Sequence, residues 1–143
     1  MEKRTGQCLC GAVRIGATLR TDTFQACHCA QCRRWAGGSA LFVIGVRDLE
    51  IEGAAAIAHY QSSAHGERAF CRTCGTTLYW RMQGGRIASV AVGLFDDQSD
   101  LTVSEEIFAD CRAAWMPPLP DARQSSEAEQ LALLADYLEG HAT

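Results

Sequence analysis

No run of about 18 apolar residues occurs in this 143-residue chain, so nothing in it reads as a membrane-spanning helix. The opening residues, Met1-Glu2-Lys3-Arg4-Thr5-Gly6-Gln7, carry basic side chains without an apolar stretch behind them, so they lack the pattern of a secretory leader. The expected address is cytoplasmic, where thiols stay reduced. The basic residues form no stripe and the formal charge is −4, which argues against a nucleic-acid partner. Internal repeats, low-complexity linkers and coiled-coil heptads are missing too. One domain over residues 1–143 is therefore expected, with no signal of oligomeric state. Proline is scarce: all three lie in Pro117-Pro118-Leu119-Pro120, where they break regular structure. The βαβ alternation of a parallel sheet is also absent, which leaves a mainly β, mostly antiparallel fold.

The strands can be read from their period. Val13, Ile15, Ala17 and Leu19 alternate along Gly11 to Leu19, as in a half-buried strand. Ala40 to Val46 is a denser apolar run, and Leu49 to Gly53 alternates again. Ile57 to Gln61, Arg68 to Cys71 and Thr77 to Met82 are further candidates. Gly84-Gly85 then suggests a hairpin into Ile87 to Phe95. Val103 to Ala109 is a last, weaker strand. After the prolines, Ser126 and Glu129 form a capping box, and Leu131, Leu134 and Leu138 follow at helical spacing. A C-terminal helix over about 126–139 is expected.

What the chain does have is grouped cysteine. Seven of its eight cysteines fall in Cys8-Leu9-Cys10, Cys27-His28-Cys29-Ala30-Gln31-Cys32 and Cys71-Arg72-Thr73-Cys74. Disulfide frameworks spread cysteines apart, whereas a metal ion gathers them, at about 2.3 Å per sulfur for zinc. In Cys71-x-x-Cys74-Gly75 the chain can curl until both sulfurs meet one ion, with the glycine free to complete the turn. Cys8-x-Cys10-Gly11 is the isolated pair left to complete that set. Cys8, Cys10, Cys71 and Cys74 thus read as a closed, structural zinc site, set against the alternative of buried free thiols.

Cys27, Cys29 and Cys32 read as a second site with three sulfurs and an open fourth position, the usual pattern of a catalytic zinc. A second zinc ion is expected here, with a labile or empty site, or a bare thiol cluster, as the alternative. His28 lies between two ligands and points away from them in an extended chain, so it is not expected to ligate. Cys111 is the odd thiol, and a free cysteine is its plain reading. His59, His65 and His141 have no ligand spacing. Iron–sulfur clusters would want more cysteines than these groups supply, and Cys29-x-x-Cys32 lacks a thioredoxin-like setting. With seven thiolates and two zinc ions, the formal charge would fall from −4 to about −7.

Gln7-Cys8-Leu9-Cys10-Gly11-Ala12-Val13, the stretch from Cys27 to Arg34 with Gly37 and Gly38, and Arg68 to Leu78 resemble, in order and spacing, the three motifs of the glutathione-dependent formaldehyde-activating enzyme family, which shares a domain with centromere protein V. Val92 to Asp97 and Trp115 resemble its looser landmarks, so the likeness covers roughly residues 5–120. Cys111 and the stretch Met116 to Pro120 depart from the usual pattern. The resemblance implies an Mss4-like tent of antiparallel sheets. It implies structural zinc at Cys8, Cys10, Cys71 and Cys74, and catalytic zinc at Cys27, Cys29 and Cys32. It also implies a carbon–sulfur lyase-type reaction on a small thiol, glutathione, or its aldehyde adduct, such as formation of S-(hydroxymethyl)glutathione. Arg33, Arg34 and Trp35 are candidate glutathione contacts, against a plainer role as two surface arginines and a core tryptophan. Two rival functions are a non-catalytic zinc-binding interaction domain and a thiol redox or metal sensor.

Overall fold

Ile15, Ala17 and Leu19 alternate along a strand with their side chains buried, and Val13, just before that strand, is buried as well. The computed structural model describes residues 1–140. In chain order the elements are β1 (Lys3–Gln7), β2 (Arg14–Leu19), β3 (Thr23–Cys27), α1 (Ala30–Ala36), β4 (Leu41–Glu52), β5 (Ile57–Gln61), β6 (Gly66–Cys71), β7 (Thr77–Met82), β8 (Ser89–Ala91), β9 (Thr102–Ile107), β10 (Arg123–Gln124) and α2 (Glu127–Gly140). The fold is mainly β with a C-terminal helix, as the sequence pattern implies. No helix among the described residues is long and apolar enough to cross a membrane.

The chain divides into two compact units. The first comprises Met1–Phe24 and Phe42–Thr102. Here β1 pairs antiparallel with β2, and β2 with the second half of β4. The first half of β4 pairs with β8. A second antiparallel sheet runs β5-β6-β7. Ala17 and Leu19 from β2, Ile44 and Val46 from β4, Leu78 from β7 and Val90 from β8 close one apolar core, which also takes in Cys8 and Cys71. Burying each such large side chain contributes about 1.5–3 kcal/mol.

Two expectations change here. The runs Ala40 to Val46 and Leu49 to Gly53 belong to one strand, β4. They look separate because Gly16 and Thr18 face Glu50 and Arg47, so β4 carries an extra residue there, and Asp48 takes a left-handed φ of 52°. The glycine pair after β7 does make a turn, with the Gly85 N–H donating to the Met82 carbonyl at 2.7 Å. The turn does not close a hairpin, because β7 pairs with β6 and β8 pairs with β4.

The second unit comprises Gln25–Leu41 and the chain from Val103 onward. It holds α1, β9, β10 and α2. β10 runs parallel to β9, with Arg123 opposite Glu105 and Gln124 opposite Glu106. Half of the expected capping box forms: the Glu129 N–H donates to Ser126 Oγ at 3.1 Å. The Glu129 carboxylate turns instead to the Ser125 hydroxyl, 3.3 Å away.

Candidate metal centres

Cys8 and Cys71 each stand where a strand ends, after β1 and at the close of β6, and each is followed by a turn that a glycine N–H closes, three residues on at Cys8 and four residues on at Cys71. The Gly11 N–H donates to the Cys8 carbonyl at 3.1 Å, and the Gly75 N–H to the Cys71 carbonyl at 2.7 Å. Both glycines have φ near +80°, a region that costs other residues strain. The Leu9 N–H donates to Thr76 Oγ1 at 3.0 Å, which ties one turn to the other.

The four sulfurs of Cys8, Cys10, Cys71 and Cys74 lie within 4.8 Å of one another. Cys8 and Cys10 are 3.7 Å apart, and Cys10 and Cys71 are 3.8 Å apart. Bonds of about 2.3 Å in a tetrahedron set sulfur–sulfur separations of about 3.8 Å, which these two distances match, so the donor set fits zinc. Its electrostatics agree. The Thr76 hydroxyl, and then the Thr76 N–H, draw the Cys74 thiol down to about 5. Cys10 has the Ala12 N–H in favour of its thiolate, yet desolvation and the sulfurs of Cys74, Cys8 and Cys71 push it up to about 11. Burial opposes a thiolate at Cys8, but the Val13 N–H and the sulfurs of Cys10 and Cys71 draw that thiol down too, so the group favours thiolates at Cys74 and Cys8 and resists one at Cys10.

The second group sits in the other unit. Cys27 is the last residue of β3 and is buried. Cys29 is the N-cap of α1, with φ −60° and ψ 155°, and its sulfur accepts the Cys32 N–H at 3.3 Å. The three sulfurs of Cys27, Cys29 and Cys32 lie within 4.8 Å of one another. The sulfurs of Cys29 and Cys32, with burial, push the Cys27 thiol far up. Thiolate-only donors within reach of one ion suit zinc.

A match to the family model for the glutathione-dependent formaldehyde-activating enzyme spans residues 3–111, which takes in all seven of these cysteines. The chain belongs to that family. An uncharacterized lyase of Schizosaccharomyces pombe is 31% identical over 86 residues, 60% of this chain and 63% of that protein. A Halomonas elongata protein, named as a candidate glutathione-dependent formaldehyde-activating enzyme, is 36% identical over 83 residues, 52% of this chain and 53% of its own length. The alignments thus span less than two thirds of either relative. A crystal structure of a Rhodobacter sphaeroides protein matches with a TM-score of 0.54 and 25% identity, covering 70% of this chain and 99% of that one.

In this family member His28 is not a third kind of ligand. It is fully buried, with Nδ1 donating to the Ser39 carbonyl at 3.1 Å and Nε2 2.7 Å from Glu106 Oε1. Glu106, also fully buried, is the residue that sequence reasoning missed. Its other oxygen accepts from Arg112 Nη2 at 2.9 Å, Gln124 Nε2 at 2.7 Å and the Leu119 N–H at 3.0 Å. Burial opposes the charge, but Gln124, the Leu119 N–H, His28 and Arg112 together draw the carboxyl down to about 2.

Among the described residues only these two cysteine groups bring three or more metal-ligating side chains so close, and Cys111 joins neither. Its sulfur lies 3.5 Å from the Glu127 carboxylate, and burial and that carboxylate push the thiol up. Arg33 is half-buried and donates Nη1 to the Cys111 carbonyl at 3.0 Å, so it is not a free surface arginine. Arg34 is exposed, and Trp35 is half-buried rather than in the core. The His59 ring meets the Tyr79 hydroxyl at 2.7 Å, far from ligand geometry. His65 is exposed, and His141 lies outside the described residues.

Proposed function

We propose that this chain is a zinc-dependent, lyase-type enzyme that makes and breaks the carbon–sulfur bond of a thiol–aldehyde adduct. The named reaction of its family points to glutathione and formaldehyde, with S-(hydroxymethyl)glutathione as the adduct. The reading places it in the cytoplasm, where glutathione stays reduced, working as one domain. The observation that carries the proposal is the inequality of the two sulfur groups: one has four donors and the other three. Four-donor sites are closed and structural, while three protein donors leave a position for substrate.

The addition needs no oxidant. The thiol sulfur forms a bond to the carbonyl carbon, the carbonyl π pair moves onto oxygen, and the thiol proton ends on that oxygen. When bound by Cys27, Cys29 and Cys32, zinc would ionise an incoming thiol and hold its sulfur. The chain's own residues supply the remainder. Cys27 and Cys32 present buried sulfurs, and Cys29 a half-exposed one, so the cluster opens on the Cys29 side. Arg34, exposed one helical step beyond Arg33, is the guanidinium offered to the substrate's carboxylates, with Trp35 beside it.

The test is an assay of the zinc-loaded protein for formaldehyde release from S-(hydroxymethyl)glutathione. Turnover that disappears in a folded Cys29→Ser variant supports the proposal. A two-zinc protein that turns over no thiol–aldehyde adduct would make it a non-catalytic zinc domain instead.

A further inference from the structure

We propose that Glu106 and His28 are positioning residues of the three-sulfur site: the buried carboxylate holds the imidazole, and the imidazole holds the turn from which Cys27 and Cys29 present their sulfurs. This rests on the reading that the three cysteines bind a metal ion.

His28 is the single residue between two ligands, and it is anchored three times. Its N–H donates to the Ile107 carbonyl at 3.0 Å, Nδ1 donates to the Ser39 carbonyl, and Nε2 meets Glu106. Any rotation of this residue moves both neighbouring sulfurs. Glu106, 78 residues away in sequence, is in turn held by four donors, close to the capacity of a carboxylate. One of the four is the Leu119 N–H, the lone backbone donor within Pro117-Pro118-Leu119-Pro120.

Packing alone does not explain such a network. A buried carboxylate with its hydrogen-bond partners often stabilises no better than apolar residues of the same volume, because desolvation offsets the attraction. What the pair adds is direction, since charge-assisted hydrogen bonds fix the angle of both partners. Groups that orient metal ligands without touching the metal typically change affinity by about 10–100-fold when removed. Glu106 and His28 stand in that position toward Cys27 and Cys29.

The experiment uses the full zinc-loaded protein and takes the four-sulfur site as internal reference. A competing chelator is titrated into wild type, Glu106→Gln and His28→Gln, and the zinc retained per chain is counted. Cobalt-substituted samples report the cobalt–thiolate absorption of each site. Glu106→Gln should weaken one ion by about 10–100-fold and leave the other unchanged. His28→Gln, which keeps an amide donor facing Glu106, should fall between that variant and wild type. The inference is overturned if the weaker ion stays within about twofold of wild type in a folded variant. It is equally overturned if both ions weaken together, which would mark a general stabilising role. Should Glu106→Gln not fold, His28→Gln decides on the same criterion. A wild type that binds one zinc, unaltered by Cys29→Ser, removes the metal reading itself, and the wild-type count tells that failure apart from the others.

Discussion

The Thr76 hydroxyl lies 3.1 Å from the Cys74 sulfur and also accepts the Leu9 N–H. One side chain thus favours a thiolate in one cysteine turn and ties that turn to the other. Thr76→Val keeps the shape and loses both contacts. It leaves the Leu9 N–H without this partner, and the expected cost is about 1–2 kcal/mol of unfolding free energy. Chemical denaturation of the zinc-loaded protein measures it, and an unchanged midpoint would show that the bridge contributes nothing.

Cys71 is fully buried in the apolar core and is also a donor of the four-sulfur group. At a structural zinc site the binding free energy is folding free energy. Cys71→Ser should therefore yield unfolded or aggregated protein in circular dichroism and size-exclusion runs. A soluble, cooperatively melting Cys71→Ser variant would refute the structural role assigned to that site.

Gly6 sits against the chain at Leu94. A Cβ at this position would lie 2.2 Å from the Leu94 carbonyl oxygen, which is backbone and cannot rotate away. Gly6→Ala should destabilise by about 1–3 kcal/mol through overpacking. The same melt reads this, and a neutral result would mean that β1 can shift without loss.

Glu106 makes an acid-limb prediction. Its carboxyl ordinarily titrates near 4.5, and in the folded protein it is drawn down to about 2. The folded state therefore binds the proton less readily than the unfolded chain. The stability this contributes, about 3 kcal/mol, is present above pH 4.5 and is lost as pH falls toward 2. Between those values wild type should lose stability more steeply than Glu106→Gln. Both proteins are compared in a Cys29→Ser background, where only the four-sulfur site holds an ion and its loss in acid is common to both, so the difference in slope isolates the carboxylate. Parallel slopes would contradict it.

The parts that were legible in the sequence are those set by local spacing. Cys71-x-x-Cys74-Gly75 specifies its turn within five residues, and the burial of β2 follows from alternation alone. Ser126 and Glu129 mark the start of α2 for the same reason. Helix α1 was hidden because two turns are too short to show a period and its cap is a cysteine rather than Ser, Thr, Asp or Asn. Gly37 just past its end was the available signal, since the Gly37 N–H closes the helix on the Arg33 carbonyl. Glu106 was hidden for a different reason. Alternation along β9 puts Val103 and Ile107 on one face and Glu106 on the other, which would ordinarily be solvent. It is buried against His28, and nothing local records a partner 78 residues away. The pairing of β8 with β4 instead of β7 is non-local in the same sense.

The central claim is that one cysteine group closes a structural site while the other holds a second ion beside an open position. Elemental analysis of zinc per folded chain, in wild type and Cys29→Ser, tests it most directly. The account predicts close to two ions in wild type and close to one in Cys29→Ser, with the fold and melting transition retained. One ion in wild type, or the same count in both proteins, would contradict it.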